Sequence, residues 1–144
     1  MALRIELKRG ERILIGECVI TNSDQRACFV VDGRTPILRE NDIMTARRAD
    51  TPAKRIYLAV QLMYTSREPR EHHETYFALL RDFIAAAPSS WPLIENINNQ
   101  ILSGDLYNAL KTARKLIKFE QELLRDEGSR PPLRKRGKAD LRPT

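Results

Sequence analysis

Apolar and charged residues alternate at the start of the chain. Leu3, Ile5 and Leu7 stand between Arg4, Glu6 and Lys8, the two-residue period of a strand with one covered face. Arg9-Gly10-Glu11 interrupts the pattern, and glycine readily takes the positive φ of a tight reversal. Residues 12–15, Arg-Ile-Leu-Ile, resume an extended run that Gly16 ends. The pattern predicts a β-hairpin built from 3–7 and 12–15, whose apolar face the rest of the chain must cover. Residues 17–21 read as a further strand, 22–25 as a polar turn, and 27–31 as a strand without polar alternation, which predicts that both its faces are covered. Asp32-Gly33 is a hairpin signal, and 35–40 form a short last strand in which Pro36 belongs at an edge or at the first position.

After a polar connector over 41–50 the period lengthens. Asp50-Thr51-Pro52 is a helix start, with a side chain able to cap free amides and a proline suited to the first turn. Ile56, Ala59, Val60 and Met63, broadened by Leu58 and Leu62, form a helical stripe. A loop over 65–70 leads to a second helix over 71–87, with Tyr76, Leu80, Phe83, Ile84 and Ala87 on one face. Pro88-Ser89-Ser90 ends it and offers a cap to a third helix carrying Leu93, Ile94, Ile97 and Ile101. Ser103-Gly104 stops that helix. Asp105 is placed to cap a fourth, with Leu106, Leu110, Ala113, Ile117 and Leu124 on its apolar face, reaching Asp126 and halted by Gly128. The fold expected is α+β: a small antiparallel β-unit over 1–43, about four helices over 50–126 packed with it, and a disordered basic tail over 127–144.

Charge sharpens this division. The formal net charge of +6 is uneven: residues 1–50 hold nine Lys/Arg against eight acids, 51–126 ten against nine, and 127–144 six against two. The body is nearly neutral, so holding a polyanion requires a local patch. Apolar runs stay far below the ~18 residues of a membrane span, and no secretory h-region is present, which points to a soluble cytoplasmic protein. Cys18 and Cys28 then read as buried reduced thiols, cross-strand neighbours if their strands pair.

The sequence offers no catalytic constellation and no sign of a cofactor. Glu71-His72-His73-Glu74 does not read as a metal site, because adjacent helical side chains diverge by about 100° and cannot share an ion. Two basic surfaces remain. Arg4, Lys8, Arg9, Arg12 and Arg39 belong to the β-region, interleaved with Glu6, Glu11 and Glu40. Lys111, Arg114, Lys115 and Lys118 recur at three- and four-residue spacing and form one helical stripe. Either is also compatible with an ordinary solvated face. Apolar residues on both sides of the strand over 29–31 favour a homo-oligomer that covers them.

The opening Leu3-Arg4-Ile5-Glu6-Leu7-Lys8-Arg9-Gly10-Glu11-Arg12-Ile13-Leu14-Ile15-Gly16, with the later Pro36-Ile37-Leu38-Arg39-Glu40, resembles CsrA-type RNA-binding proteins over residues 3–43. Over residues 3–126 the chain resembles the FlbT family of flagellum biosynthesis repressors. That likeness rests on the same segments together with the helix opening Asp50-Thr51-Pro52-Ala53-Lys54-Arg55-Ile56-Tyr57 and the later Gly104-Asp105-Leu106-Tyr107-Asn108-Ala109-Leu110. The resemblance implies a non-enzymatic post-transcriptional regulator that binds the 5′ untranslated region of flagellin messenger and promotes its decay, in interplay with FlaF. The likeness to CsrA-type proteins implies an RNA-contacting arginine at Arg39, and a β-surface that presents Arg4 and Lys8 beside it could grip a single-stranded loop. The alternative is an adaptor that binds FlaF or flagellin through its helices, with indirect effects on RNA.

Overall fold

In the computed structural model, which describes residues 2–129, five strands precede four helices, so the chain is α+β as its pattern predicts. The strands are β1 (Ala2–Leu7), β2 (Arg12–Ile15), β3 (Cys18–Thr21), β4 (Ala27–Asp32) and β5 (Ile37–Arg39). The helices are α1 (Pro52–Thr65), α2 (His73–Ala86), α3 (Trp91–Leu102) and α4 (Leu106–Ser129). Short 3-10 turns occupy Glu40–Asp42, Pro69–His72 and Pro88–Ser90.

The expected opening hairpin does not form. β1 pairs antiparallel with β4, Ile5 opposite Phe29, while β2 is the middle strand of a second sheet ordered β3-β2-β5. Gly10, at φ 72°, therefore turns the chain from one sheet onto the other. The reason lies in side-chain direction. Ile5 and Leu7 must face Ile13, not lie beside it, and together with Ile15, Phe29, Val31 and Ile37 they close a small apolar cluster between the two sheets. The bend is held by the Asn22 amide, which donates to the carbonyls of Lys8 and Gln25 at 2.8 Å each. The true hairpin is β2–β3, turning at Gly16.

Alternation within β2 and β5 builds the third layer. Leu14 and Leu38, paired across the strands, point away from the ribbon and enter the main core with Ala53, Ile56, Val60 and residues of all four helices. The middle sheet is thus apolar on both faces. β4 instead alternates: Val30 is 58% exposed while Phe29 and Val31 turn inward, correcting the expectation of two covered faces. Asp32-Gly33 does not close a hairpin either, because β5 crosses to pair with β2. The cysteines are exposed and unbridged; Cys18 lies opposite Ile15 and Cys28 opposite Glu6, in different sheets, so they are neither buried nor neighbours.

The helical caps follow the sequence more closely. Thr51 caps α1, its hydroxyl accepting from the Lys54 amide at 3.3 Å. Ser90 is buried, but its hydroxyl donates back to the Ala87 carbonyl at 2.7 Å and does not cap α3. The connector over 41–50 is less polar in effect than in composition: Ile43 and Met44 pack on the core and Ala49 is buried. α1 buries Ala53, Tyr57 and Gln61 beside its expected stripe and leaves Leu62 exposed. α4 buries Ala109, Leu110, Ala113 and Leu116, and Leu124 is 57% exposed instead of facing inward. The helix runs through Gly128 to Ser129, so the expected tail begins within it, and the remainder of 127–144 lies outside the described residues.

Candidate functional site

The strand cations divide among three places. Arg4 lies on the outer face of the β1–β4 ribbon, opposite Val30, two residues from Glu6, which pairs with Arg26 at 3.5 Å. Lys8 and Arg9 are exposed on the turn between the sheets. Arg39 shares the ribbon-facing side of its sheet with Ile13, its partner in register. Its guanidinium donates to the Glu6 carbonyl at 2.8 Å and approaches the Glu11 carboxylate at 3.4 Å. Arg12 has the opposite parity, and its Nε is 3.8 Å from Glu40, whose carboxylate also accepts from the Arg12 amide at 2.6 Å.

The structure thus brings Lys8, Arg39 and Glu11 together, sets Arg4 on an adjoining face, and turns Arg12 toward Glu40. Glu11 organises this corner. Its carboxylate accepts from the Lys8 amide at 2.8 Å, and that bond with the Arg39 guanidinium holds its pKa below the usual carboxylate range. Among the described residues, Arg4, Lys8 and Arg9 carry no side-chain hydrogen bond or ion pair. Arg34, exposed between β4 and β5, is unpaired as well, and together these four are the cations among the described residues of this unit left for an external anion.

The α4 stripe borders an open groove of about 470 Å³ beside strand β5. Lys111, Arg114, Lys115 and Lys118 are all exposed along it. Arg114 differs from the lysines in being engaged: its guanidinium binds the Asp42 carboxylate, donates to the Tyr57 hydroxyl at 3.2 Å, and sits 5.8 Å from the Tyr57 ring centre. Tyr57 in turn donates to the Asp42 carbonyl, and burial raises its pKa, so the phenol stays protonated at neutral pH. Tyr107 lies at the groove with Lys111 Nζ 4.9 Å from its ring centre and Tyr64 5.9 Å away at a tilt of 44°. The cations of this groove are legible in the sequence, whereas the role of these rings is not. The available signal was spacing, since Tyr107, Lys111 and Lys115 fall at successive four-residue steps on one helix face.

Among the described residues no group of three or more His, Cys, Asp or Glu side chains could hold a metal ion, and no helix is long and apolar enough to cross a membrane. Fold and surfaces define a small α+β protein that exposes cations both on its β-unit and along α4. A family model described as "Flagellar protein FlbT" matches residues 3–124, and the chain belongs to the FlbT family. A relative from Bradyrhizobium diazoefficiens, named a probable flagellum biosynthesis repressor protein FlbT, is 62% identical over 124 residues, covering 85% of each chain. One of the same description from Rhodopseudomonas palustris is 53% identical over 86% of this chain and 98% of its own length. The Caulobacter vibrioides protein named flagellum biosynthesis repressor protein FlbT is 32% identical over 86% of this chain and 90% of its own. No solved structure matches.

Proposed function

We propose that this protein represses flagellar gene expression at the messenger level, binding the 5′ untranslated region of flagellin messenger and promoting its decay, without catalysing a reaction itself. The family and the names of its relatives support the repressor role. The resemblance of residues 3–43 to CsrA-type proteins supports RNA as the ligand. The observation that carries the reading is the unpaired set Arg4, Lys8 and Arg9 beside the Arg39–Glu11 corner. These side chains span two adjoining faces, a patch that phosphates can occupy without displacing an internal ion pair. Arg39, held against the Glu6 carbonyl, gives that patch a fixed edge, and Arg12 adds to it at longer range.

Such a patch is small, so the reading includes a homo-oligomer that repeats it and a protein partner, FlaF or flagellin. Strand β3 supports the first point: it is an edge strand with Val19 and Ile20 exposed, an unpaired apolar edge of the kind that a second copy can cover. The test is binding of the purified full chain to the flagellin leader and to a scrambled RNA of equal length, with and without FlaF. Preference for the leader, lost in Arg4→Ala/Lys8→Ala/Arg9→Ala with the urea unfolding midpoint unchanged, is the expected result. Equal affinity of wild type and variant for the leader rejects direct contact through the strands and leaves the adaptor reading. That alternative is favoured by the exposed side chains of Phe77, Trp91 and Leu102 on the helices.

A further inference from the structure

We infer that the groove between α4 and strand β5 is a second contact for single-stranded nucleic acid, in which a base stacks on Tyr107 while Lys111, Lys115 and Lys118 hold the neighbouring phosphates. The inference deepens the messenger reading and rests on it for the identity of the strand, though not for the chemistry of the groove.

Charge comes first. Among the described residues that line the groove the one carboxylate is Asp42, and Arg114 already binds it. The three lysines have no ion pair among the described residues, so the field facing solvent is positive. Four residues of helix rise about 6 Å, so Lys111 and Lys115 form a regular track along one side of the opening. A track of this kind follows a phosphate backbone without reading its sequence.

The second observation concerns which apolar surface is accessible. The aliphatic lining residues Leu38 and Leu110 are only 2% and 3% exposed, whereas Tyr107 is 46% exposed. An acidic amphipathic peptide would need aliphatic sockets for its anchoring side chains, and here those sockets are filled. A flat ring partner needs only a flat ring. Tyr107 supplies one, braced by Tyr64, whose hydroxyl donates to the Ile37 carbonyl of β5 at 3.5 Å. Lys111, already 4.9 Å from the Tyr107 ring centre, would move aside onto a phosphate. The Arg114–Asp42–Tyr57 cluster keeps the end wall in place, joining α4 to α1 and to the 3-10 turn after β5. A volume of about 470 Å³ also lies within the range of sites that take a small planar ligand.

The test uses the full chain and three labelled probes: a short oligouridylate, its abasic ribose-phosphate counterpart, and a glutamate oligomer of equal charge. Two variants are compared with wild type, Tyr107→Leu and Lys111→Gln/Lys115→Gln/Lys118→Gln, both at exposed positions and both checked by urea unfolding. Tyr107→Leu is expected to weaken oligouridylate by about 5- to 150-fold, the equivalent of roughly 1–3 kcal/mol for one stacked base, and to leave the abasic probe unchanged. The triple variant weakens both. Equal binding of the base-bearing and abasic probes, with Tyr107→Leu silent, overturns the inference in favour of a general anion surface. Preferential binding of the glutamate oligomer overturns it in favour of an acidic protein partner, and absence of binding by all three in favour of a solvated face. The flagellin leader separates this result from the function itself. Leader binding that survives both groove variants refutes the groove alone, whereas oligouridylate binding at the groove without leader preference refutes the messenger reading alone.

Discussion

Glu120 shows how a single carboxylate ties distant parts of the chain together. It lies on α4, is 7% exposed, and accepts from the Ala53 amide at 3.0 Å in the first turn of α1. With Thr51 it satisfies free amides at the start of α1, groups that the helix itself leaves without partners. Glu120→Ala leaves that buried amide without a partner and is expected to cost about 1–3 kcal/mol in urea unfolding, with Glu120→Gln, which keeps an acceptor, costing less. Glu11 gives a pH signature at the same scale. Its pKa is lowered in the folded state, so its contribution is fully present above the ordinary carboxylate value and is lost as pH falls through the lowered one. Stability of wild type should therefore decline from about pH 5 downward more steeply than that of Glu11→Gln, read as urea midpoints across the acid range. Identical slopes would remove Glu11 from its role at the Arg39 corner. Neither carboxylate is distinguishable in the sequence from its neighbours. Glu120 and Glu122 look alike until packing buries one, and Glu11 looks like any turn residue.

At the scale of elements the helices and strands were legible to different degrees, for a physical reason. Thr51-Pro52 and Ser103-Gly104 act on backbone groups within a turn of themselves, so their signals mark α1 and the end of α3 directly. Strand pairing depends on residues far away in sequence. Arg9-Gly10-Glu11 announces a reversal but not whether the strands on either side lie edge to edge or face to face. Ile5, Leu7 and Ile13 settle the matter by packing against each other. The same logic orders the cost of mutations. Ile13 is fully buried between the sheets, and Ile13→Ala should cost about 2–5 kcal/mol. Val19→Ala on the exposed edge strand should stay within about 0.5 kcal/mol in dilute solution. Val19→Lys is expected to shift the sedimentation coefficient to that of a monomer if β3 is the oligomer edge, and an unchanged assembly would place the contact elsewhere.

For the whole molecule the decisive quantity is where charge is free, not how much there is. Glu6, Glu11 and Glu40 occupy Arg26, Arg39 and Arg12 in turn, which leaves Arg4, Lys8, Arg9 and Arg34 unpaired among the described residues of the β-unit, the first three clustered along β1 and the turn after it. The basic residues were legible in the sequence; their division into paired and unpaired sets was not, because each pair but one joins residues more than two dozen positions apart, and the exception, Glu6 with Arg26, spans two strands. The account predicts that phosphates bind chiefly to the unpaired set. The most direct test is the dependence of flagellin-leader affinity on salt, measured for wild type and for Arg4→Ala/Lys8→Ala/Arg9→Ala. At about 0.7 in slope per neutralised phosphate on a single strand, the variant should flatten the logarithmic plot by about 2. Parallel plots of equal affinity would contradict the claim that these side chains hold the messenger.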